Sequence, residues 1–430
     1  MIKTYYPDIR ETLFETTLEN GLKILMIPKP GFAKTEVELA VKFGSLDEIA
    51  ISSEATDPLL FPQGIAHFIE HLLFESEEAN PTAAFARIGA AVNAYTTYDK
   101  TNYYFSTTNH CEPGIKLLLE MVMNPRFTQK SIDKEAKIIA QEITMYEDDF
   151  DQMIYNDLMK NLYKDHPIRN DIAGNIEGVA ATDMDTLMHA YHLYYHPTNM
   201  FMIIVGDIDC DSVMTLINEE TKKYPKNPNR LVKRILNEEV GPLQPQTINK
   251  KKDVSIPMLM MGLRFSHSSN RHPFEDALEE VKLAFLLTGV FGKGAKPYQL
   301  LSKKRLINDS FEFMANYEST YGHLILYSET KKPDITSQAI LEVLQSLIHD
   351  LPSPLQFQLA KRKLIGEYLE AFNNVSHLAN FVMEYFAKGI NLFDFYRELG
   401  KIQYSDLQEV QQLIQLTGLT TVCFHKEDNL

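Results

Sequence analysis

Residues 64–75 read GIAHFIEHLLFE, and the way this stretch is understood decides the rest. Ile65, Phe68, Ile69, Leu72 and Leu73 recur at helical spacing and form an apolar side. His67 and His71 stand one turn apart, and Glu70 lies three residues after His67, so all three project from one face. A bland reading is a half-buried amphipathic helix with three polar residues close together. The sharper one is a metal face: two imidazoles fill two corners of a zinc tetrahedron, with a carboxylate beside the open position. HxxEH is the inverse of the HExxH zinc motif. At the His and Glu frequencies of this chain, a chance HxxEH is expected only ~0.03 times per sequence.

Zinc in a hydrolase takes three protein ligands and a water. The third is expected from the helix SIDKEAKIIAQEITMYEDD, residues 131–149. Glu135 and Glu142 are two turns apart there and share a face, interleaved with Ile138 and Ile139, which reads as a buried carboxylate face. Buried carboxylates need a metal or a charge partner. Glu147, Asp148 and Asp149 read instead as a solvated stripe.

The chain has 430 residues, enough for two or three domains, and 44 % of them are apolar or aromatic. Its formal charge of −16 disfavours nucleic acid or an anionic membrane as partner. The 3 cysteines, Cys111, Cys210 and Cys423, show no CxxC spacing and suit a reducing compartment. No segment approaches the ~18–20 apolar residues that span a bilayer, and the first residues lack a secretory pattern. A cytoplasmic location is expected.

The order of elements repeats. In the first half, VELAVKFG (37–44) leads to the motif helix, then NYYFSTT (102–108), an apolar helix, the long helix, and NMFMIIVGDID (199–209). In the second half, SIPMLMMGLRF (255–265) leads to a helix, then YGHLILYS (321–328), two helices, and TGLTTVCFHKED (417–428). The strands recur about 219 positions apart, Tyr103 against Gly322 and Met200 against Leu419, and so long a period means duplicated domains rather than a solenoid. Between the halves, KKYPKNPNRLVKRILNEEVGPLQPQ (222–246) reads as a linker. The expected organisation is two α+β domains of one plan: residues 1–222, a linker over 223–246, and residues 247–430. MHAYHLYYHPTN (188–199) reads as packing at a helix end rather than as metal ligands.

HFIEH, followed by NAYTTYDKTNYYFSTT and DKEAKIIAQEITMYEDD, resembles the M16 family of zinc peptidases (pitrilysin, insulysin and mitochondrial processing peptidase). The resemblance runs through the first half, and the duplicated plan extends it over the chain. It implies the LuxS/MPP-like metallohydrolase fold, each domain a mostly antiparallel sheet with helices on one face. It implies one Zn2+ per chain held by His67, His71 and Glu142, with Glu135 as an accessory carboxylate and Glu70 as general base. It also implies that GAAVNAYT (89–96) is a strand edge where an extended peptide pairs, with Asn93 and Ala94 at the substrate.

One stretch departs from the family. An Arg and a Tyr, seven apart, hold the scissile carbonyl in its second domain. Here the corresponding residues, LLSKKRLINDSFEF (300–313), place Ser302 near the Arg and Asp309 or Ser310 near the Tyr. Arg305 is out of register, and no Tyr follows until Tyr317. Since related chains of the family often pair, the expectation is a heterodimer in which a similar chain supplies Arg and Tyr, or otherwise a homodimer. A non-catalytic peptide-binding or assembly subunit is the rival reading.

Overall fold

The computed structural model describes residues 1–53, 56–75, 80–224, 231–236, 239, 246–266 and 271–426. The described residues form two compact units. The first comprises Met1–Met145, Asn170–Leu236 and Leu369–Ala387; the second comprises Tyr146–Arg169, Asn237–Tyr368 and Lys388–Leu430. The units therefore interleave along the chain, which the contiguous halves 1–222 and 247–430 do not describe.

The first unit is built on a seven-stranded sheet, in the order Ile2–Tyr6, Glu11–Thr17, Lys23–Pro28, Met200–Gly206, Thr35–Val41, Thr101–Thr107 and Ala90–Thr96. Every neighbouring pair is antiparallel except Lys23–Pro28 with Met200–Gly206. The second unit has a five-stranded sheet: Gln246–Lys252, Thr420–Lys426, Met258–Arg264, Gly322–Glu329 and Glu312–Tyr317. Its one parallel pair is the first two strands. Strand for strand, this repeats the last five positions of the first sheet, parallel pair included, so the duplication is one of topology. Both units combine helices with a mostly antiparallel sheet, the α+β class expected.

Thr35–Val41 and Met200–Gly206 are buried at every position. Such strands have both faces covered. On one face lie the motif helix Ile65–Phe74, the short helix Pro81–Arg87 and helix Glu112–Met123, with Phe85 against Phe105 and Phe74 against Tyr103. The other face receives helix Val375–Ala387, late in the chain, through Ser376 to Glu36 and Phe386 to Phe201. The second unit receives a helix in turn. Phe150–Leu162 lies on Met258–Arg264 and Thr420–Lys426. Gly262 makes that approach possible, since a Cβ there would sit 2.7 Å from Leu162 Cδ1 and 3.0 Å from Leu158 Cδ1.

The segment read as a linker lies largely outside the described residues. Its described part includes a strand, Val232–Arg234, which pairs with Ile49–Ser52 in a three-stranded sheet. Arg234 grips Asp47 with two bonds of 2.7 Å. This part is built structure in the first unit rather than a spacer.

Candidate metal centre

The motif helix starts at Ile65 on Gly64, whose φ is 83°. A side chain there would be strained, and its Cβ would lie 2.3 Å from the Ala173 carbonyl. The loop before Asn175 thus seats the first turn of the helix, and Asn175 Nδ2 donates to Gln63 Oε1 at 2.7 Å. Ile65, Ala66, Phe68, Ile69, Leu72 and Leu73 are buried, which turns His67, Glu70 and His71 together toward the opposite side.

There His67, His71 and Glu142 bring one donor atom each within 4.8 Å of one another. The two Nε2 atoms are 3.2 Å apart, and Glu142 Oε2 lies 3.5 Å from that of His71 and 3.9 Å from that of His67. A zinc tetrahedron with ligand distances of ~2.0–2.1 Å has edges of about 3.3–3.4 Å. The donor set fits that group in chemistry and spacing. Burial, with the neighbouring His71 adding, pushes the His67 imidazole down to about 4. A neutral ring is the form that ligates.

The two glutamates of helix Gln129–Glu147 divide their work. Glu142 is half-buried and faces the histidines. Glu135 is buried, and its Oε2 lies 3.1 Å from Nδ1 of His71. A carboxylate there fixes the tautomer and leaves Nε2 free to ligate. Glu135 thus meets the candidate ligand His71 on the ring nitrogen that faces away from His67 and Glu142. Ile139 is fully buried, but Ile138 is 38 % exposed, so the helix turns a narrower face inward than the sequence suggests. His67 Nδ1 is buried and makes no hydrogen bond.

Glu70 is held from the sheet: Thr96 Oγ1 donates to its Oε2 at 2.6 Å. Burial raises the carboxyl of Glu70 above the ordinary range, against the lowering effect of that bond. Thr96 ends the strand Ala90–Thr96, and that strand is the edge of its sheet. Alternate residues of an antiparallel strand turn their N–H outward. Ala94 does so, and its N–H donates to Asn93 Oδ1 at 2.9 Å. The edge thus carries an outward donor covered only by a neighbouring side chain. A peptide strand can add there by displacing Asn93.

Two family models match: Insulinase (Peptidase family M16) over residues 23–175, and Peptidase M16 inactive domain over residues 182–364. A Bacillus subtilis protein named as the uncharacterized zinc protease YmfH is 33 % identical over 97 % of this chain and 97 % of its own. The chain belongs to the M16 peptidase family. A crystal structure of an M16-like peptidase from Alicyclobacillus acidocaldarius superposes with a TM-score of 0.91 at 27 % identity, covering 99 % of this chain and all 100 % of that one. A Helicobacter pylori protease shares the fold, with a TM-score of 0.83 at 20 % identity over 96 % of this chain and 99 % of that one. A second Bacillus subtilis protein, YmxG, also named as an uncharacterized zinc protease, is 24 % identical over 82 % of this chain and 83 % of its own.

Within this M16 chain the stretch 300–313 holds no Arg and Tyr seven apart. Ser302 is exposed on helix Lys296–Lys303, and Asp309 is exposed on the turn that follows. Ser310 Oγ is taken up by Asn308 Oδ1 at 2.6 Å and by the Glu329 N–H at 2.9 Å. Tyr317 is buried, with Arg271 over its ring at 5.8 Å. The tyrosines of residues 188–199 pack, with Tyr191 and Tyr195 stacked at 4.6 Å. The sequence did not single out Thr96; its only signal was a hydroxyl at the end of the edge strand. No helix among the described residues is long and apolar enough to cross a membrane.

Proposed function

We propose that the chain is a zinc-dependent endopeptidase that cleaves extended peptides, with Glu70 as general base. The observation that carries this is the convergence of His67, His71 and Glu142 beside a half-buried glutamate tied to an open strand edge. His67, His71 and Glu142 would hold the ion, and Glu135 keeps His71 in the ligating tautomer. Zinc supplies Lewis acidity there, polarising a carbonyl and making water nucleophilic near neutral pH. Ala94 and its neighbours align the substrate backbone. Glu70 takes the proton of the attacking water and returns it to the leaving amine. Its raised carboxyl suits a group that must hold and release a proton in turn.

The absence of Arg and Tyr at Ser302 and Asp309 supports a working unit that includes a related M16 chain. The same absence favours a second reading, a non-catalytic peptide-binding subunit, against which the intact ligand set and Glu70 both weigh. Three buried free cysteines support a reducing, cytoplasmic setting. The test is elemental analysis and peptide cleavage by wild type and Glu70→Gln. One zinc per chain in both proteins is expected, with cleavage lost by ~10²-fold or more in the variant. No stoichiometric metal, or equal cleavage by the variant, overturns the reading.

A further inference from the structure

We propose that Thr96 is the positioning residue for the Glu70 carboxylate, and that the Lys100–Glu384 ion pair anchors the hairpin carrying it; this rests on the reading of Glu70 as the base. A glutamate side chain has several torsions, each with its own wells, so an untethered carboxylate samples several places. The bond from Thr96 Oγ1 to Glu70 Oε2, 2.6 Å long, selects one of them. Thr96 is itself stiff, being β-branched and paired with Thr101 in the sheet.

Beyond Thr96 the chain turns tightly. The Thr97 N–H donates to the Lys100 carbonyl at 2.8 Å, and Thr97 Oγ1 donates to Asp99 Oδ1 at 2.8 Å. From outside the turn, the N–H groups of Ser45 and Leu46 donate to the carbonyls of Thr97 and Tyr98, at 3.0 and 2.9 Å. Gly44 passes so near that a Cβ on it would lie 2.5 Å from the Tyr98 carbonyl. Lys100 is 1 % exposed, and its Nζ reaches Glu384 Oε1 at 2.9 Å and Asp99 Oδ1 at 3.4 Å. A buried ammonium deprived of its partner is costly, so Lys100 is committed to this arrangement.

Glu384 belongs to helix Val375–Ala387, which the chain delivers to the first unit from beyond residue 368. A line of contacts thus runs from Glu384 through Lys100 and the hairpin to Thr96 and Glu70. The same strand that offers its edge to a peptide also holds the base, so base and substrate backbone share one frame. A base must lie within hydrogen-bond reach of its proton. Misplacement by about 1 Å costs on the order of 10²-fold in rate.

The test uses the zinc-loaded full chain with Thr96→Val, Thr96→Ser, Thr96→Ala, Glu384→Gln and, alongside, Glu70→Gln. Steady-state cleavage of an unstructured peptide, zinc content and a crystal structure of zinc-loaded Thr96→Val are the readouts. Thr96→Val should lower kcat by ~10–100-fold, with KM within about twofold and zinc content full. Thr96→Ser should restore most of the rate, and Glu384→Gln should fall in the same direction by less. In the Thr96→Val crystal the Glu70 carboxylate should leave its wild-type place. Should Thr96→Val fail to fold, Thr96→Ala, which removes the hydroxyl without adding a methyl, supplies the same readouts. Wild-type kcat in the hydroxyl-free variant, or a Glu70 carboxylate that has not moved, overturns the proposal. Cleavage by Glu70→Gln at the wild-type rate overturns the reading of Glu70 as base, while the crystal position of Glu70 still decides whether Thr96 positions it.

Discussion

Glu135 Oε2 meets His71 on Nδ1, at 3.1 Å, while Nε2 of the same ring lies 3.2 Å from Nε2 of His67. A carboxylate accepts, so the proton belongs on Nδ1 and the lone pair of Nε2 points to the other donors. The two glutamates on one helix face are therefore unequal: Glu142 is the ligand candidate and Glu135 the support.

That division predicts a metal phenotype for Glu135→Gln distinct from that of Glu142→Gln. Loss of a supporting carboxylate typically weakens metal affinity by ~10–100-fold. Glu135→Gln should lose zinc to a chelator at correspondingly lower chelator concentration, yet still fill its site when zinc is in excess. Glu142→Gln should fail to fill it under the same conditions. Competition titration checks this, and equal affinities for Glu135→Gln and wild type would contradict the assignment.

Glu38 predicts a pH effect on stability. It is buried on the sheet face beneath helix Val375–Ala387, and burial, with Glu36 adding, pushes its carboxyl up to about 8, against the hydrogen bond from Asn102. In the unfolded chain the group ionises near 4.5. Between these values it is protonated when folded and ionised when unfolded, so unfolding releases a proton. Stability is whole below about pH 4.5 and declines as pH rises through about 8. Glu38→Gln can still accept from Asn102 and cannot titrate. Its stability should gain on wild type from pH 5 to about pH 8, by up to a few kcal/mol, and level off above that. A constant difference across that range, measured by calorimetry, would refute the protonated state.

Arg234 and Asp47 make a third case. Asp47 is buried, and Arg234 binds it through both Nε and one terminal nitrogen. Breaking a buried pair from one side costs about 3–5 kcal/mol at full burial. Arg234 keeps a quarter of its side chain exposed, so Arg234→Met should cost near the lower end of that range. Denaturant unfolding measures it. A variant as stable as wild type would return residues 232–234 to the role of a spacer.

What the sequence made legible follows from the range of the forces involved. His67, Glu70 and His71 were readable because helical spacing alone puts them on one face. Glu135 and Glu142 were readable as a pair for the same reason, although their unequal roles depend on which ring nitrogen each meets. The exchange of Phe150–Leu162 and Val375–Ala387 was not readable, because an amphipathic pattern shows that a helix has an apolar side and not which sheet receives it. Val232–Arg234 was hidden because three residues, two of them basic, carry no strand signal. Thr96 was hidden because its bond to Glu70 joins a strand to a helix 26 residues earlier.

The last prediction concerns the second unit. Transition-state charge on the attacked carbonyl needs preorganised donors, and losing one typically costs about 10²–10³-fold. In the family an Arg and a Tyr, seven apart, fill that need. Here helix Lys296–Lys303 carries Ser302 near the Arg position, and the turn after it carries Asp309 and Ser310 near the Tyr position. Ser302 is short and uncharged, and Asp309 carries the wrong sign for a developing oxyanion. The isolated zinc-loaded chain should therefore cleave peptides slowly, and a related M16 chain that keeps both groups should raise the rate by ~10²-fold or more on mixing. Sizing of the mixture should show a complex of one chain with the other. Full activity of the unmodified chain, with no gain from the partner, would show that the first unit stabilises the oxyanion without such groups.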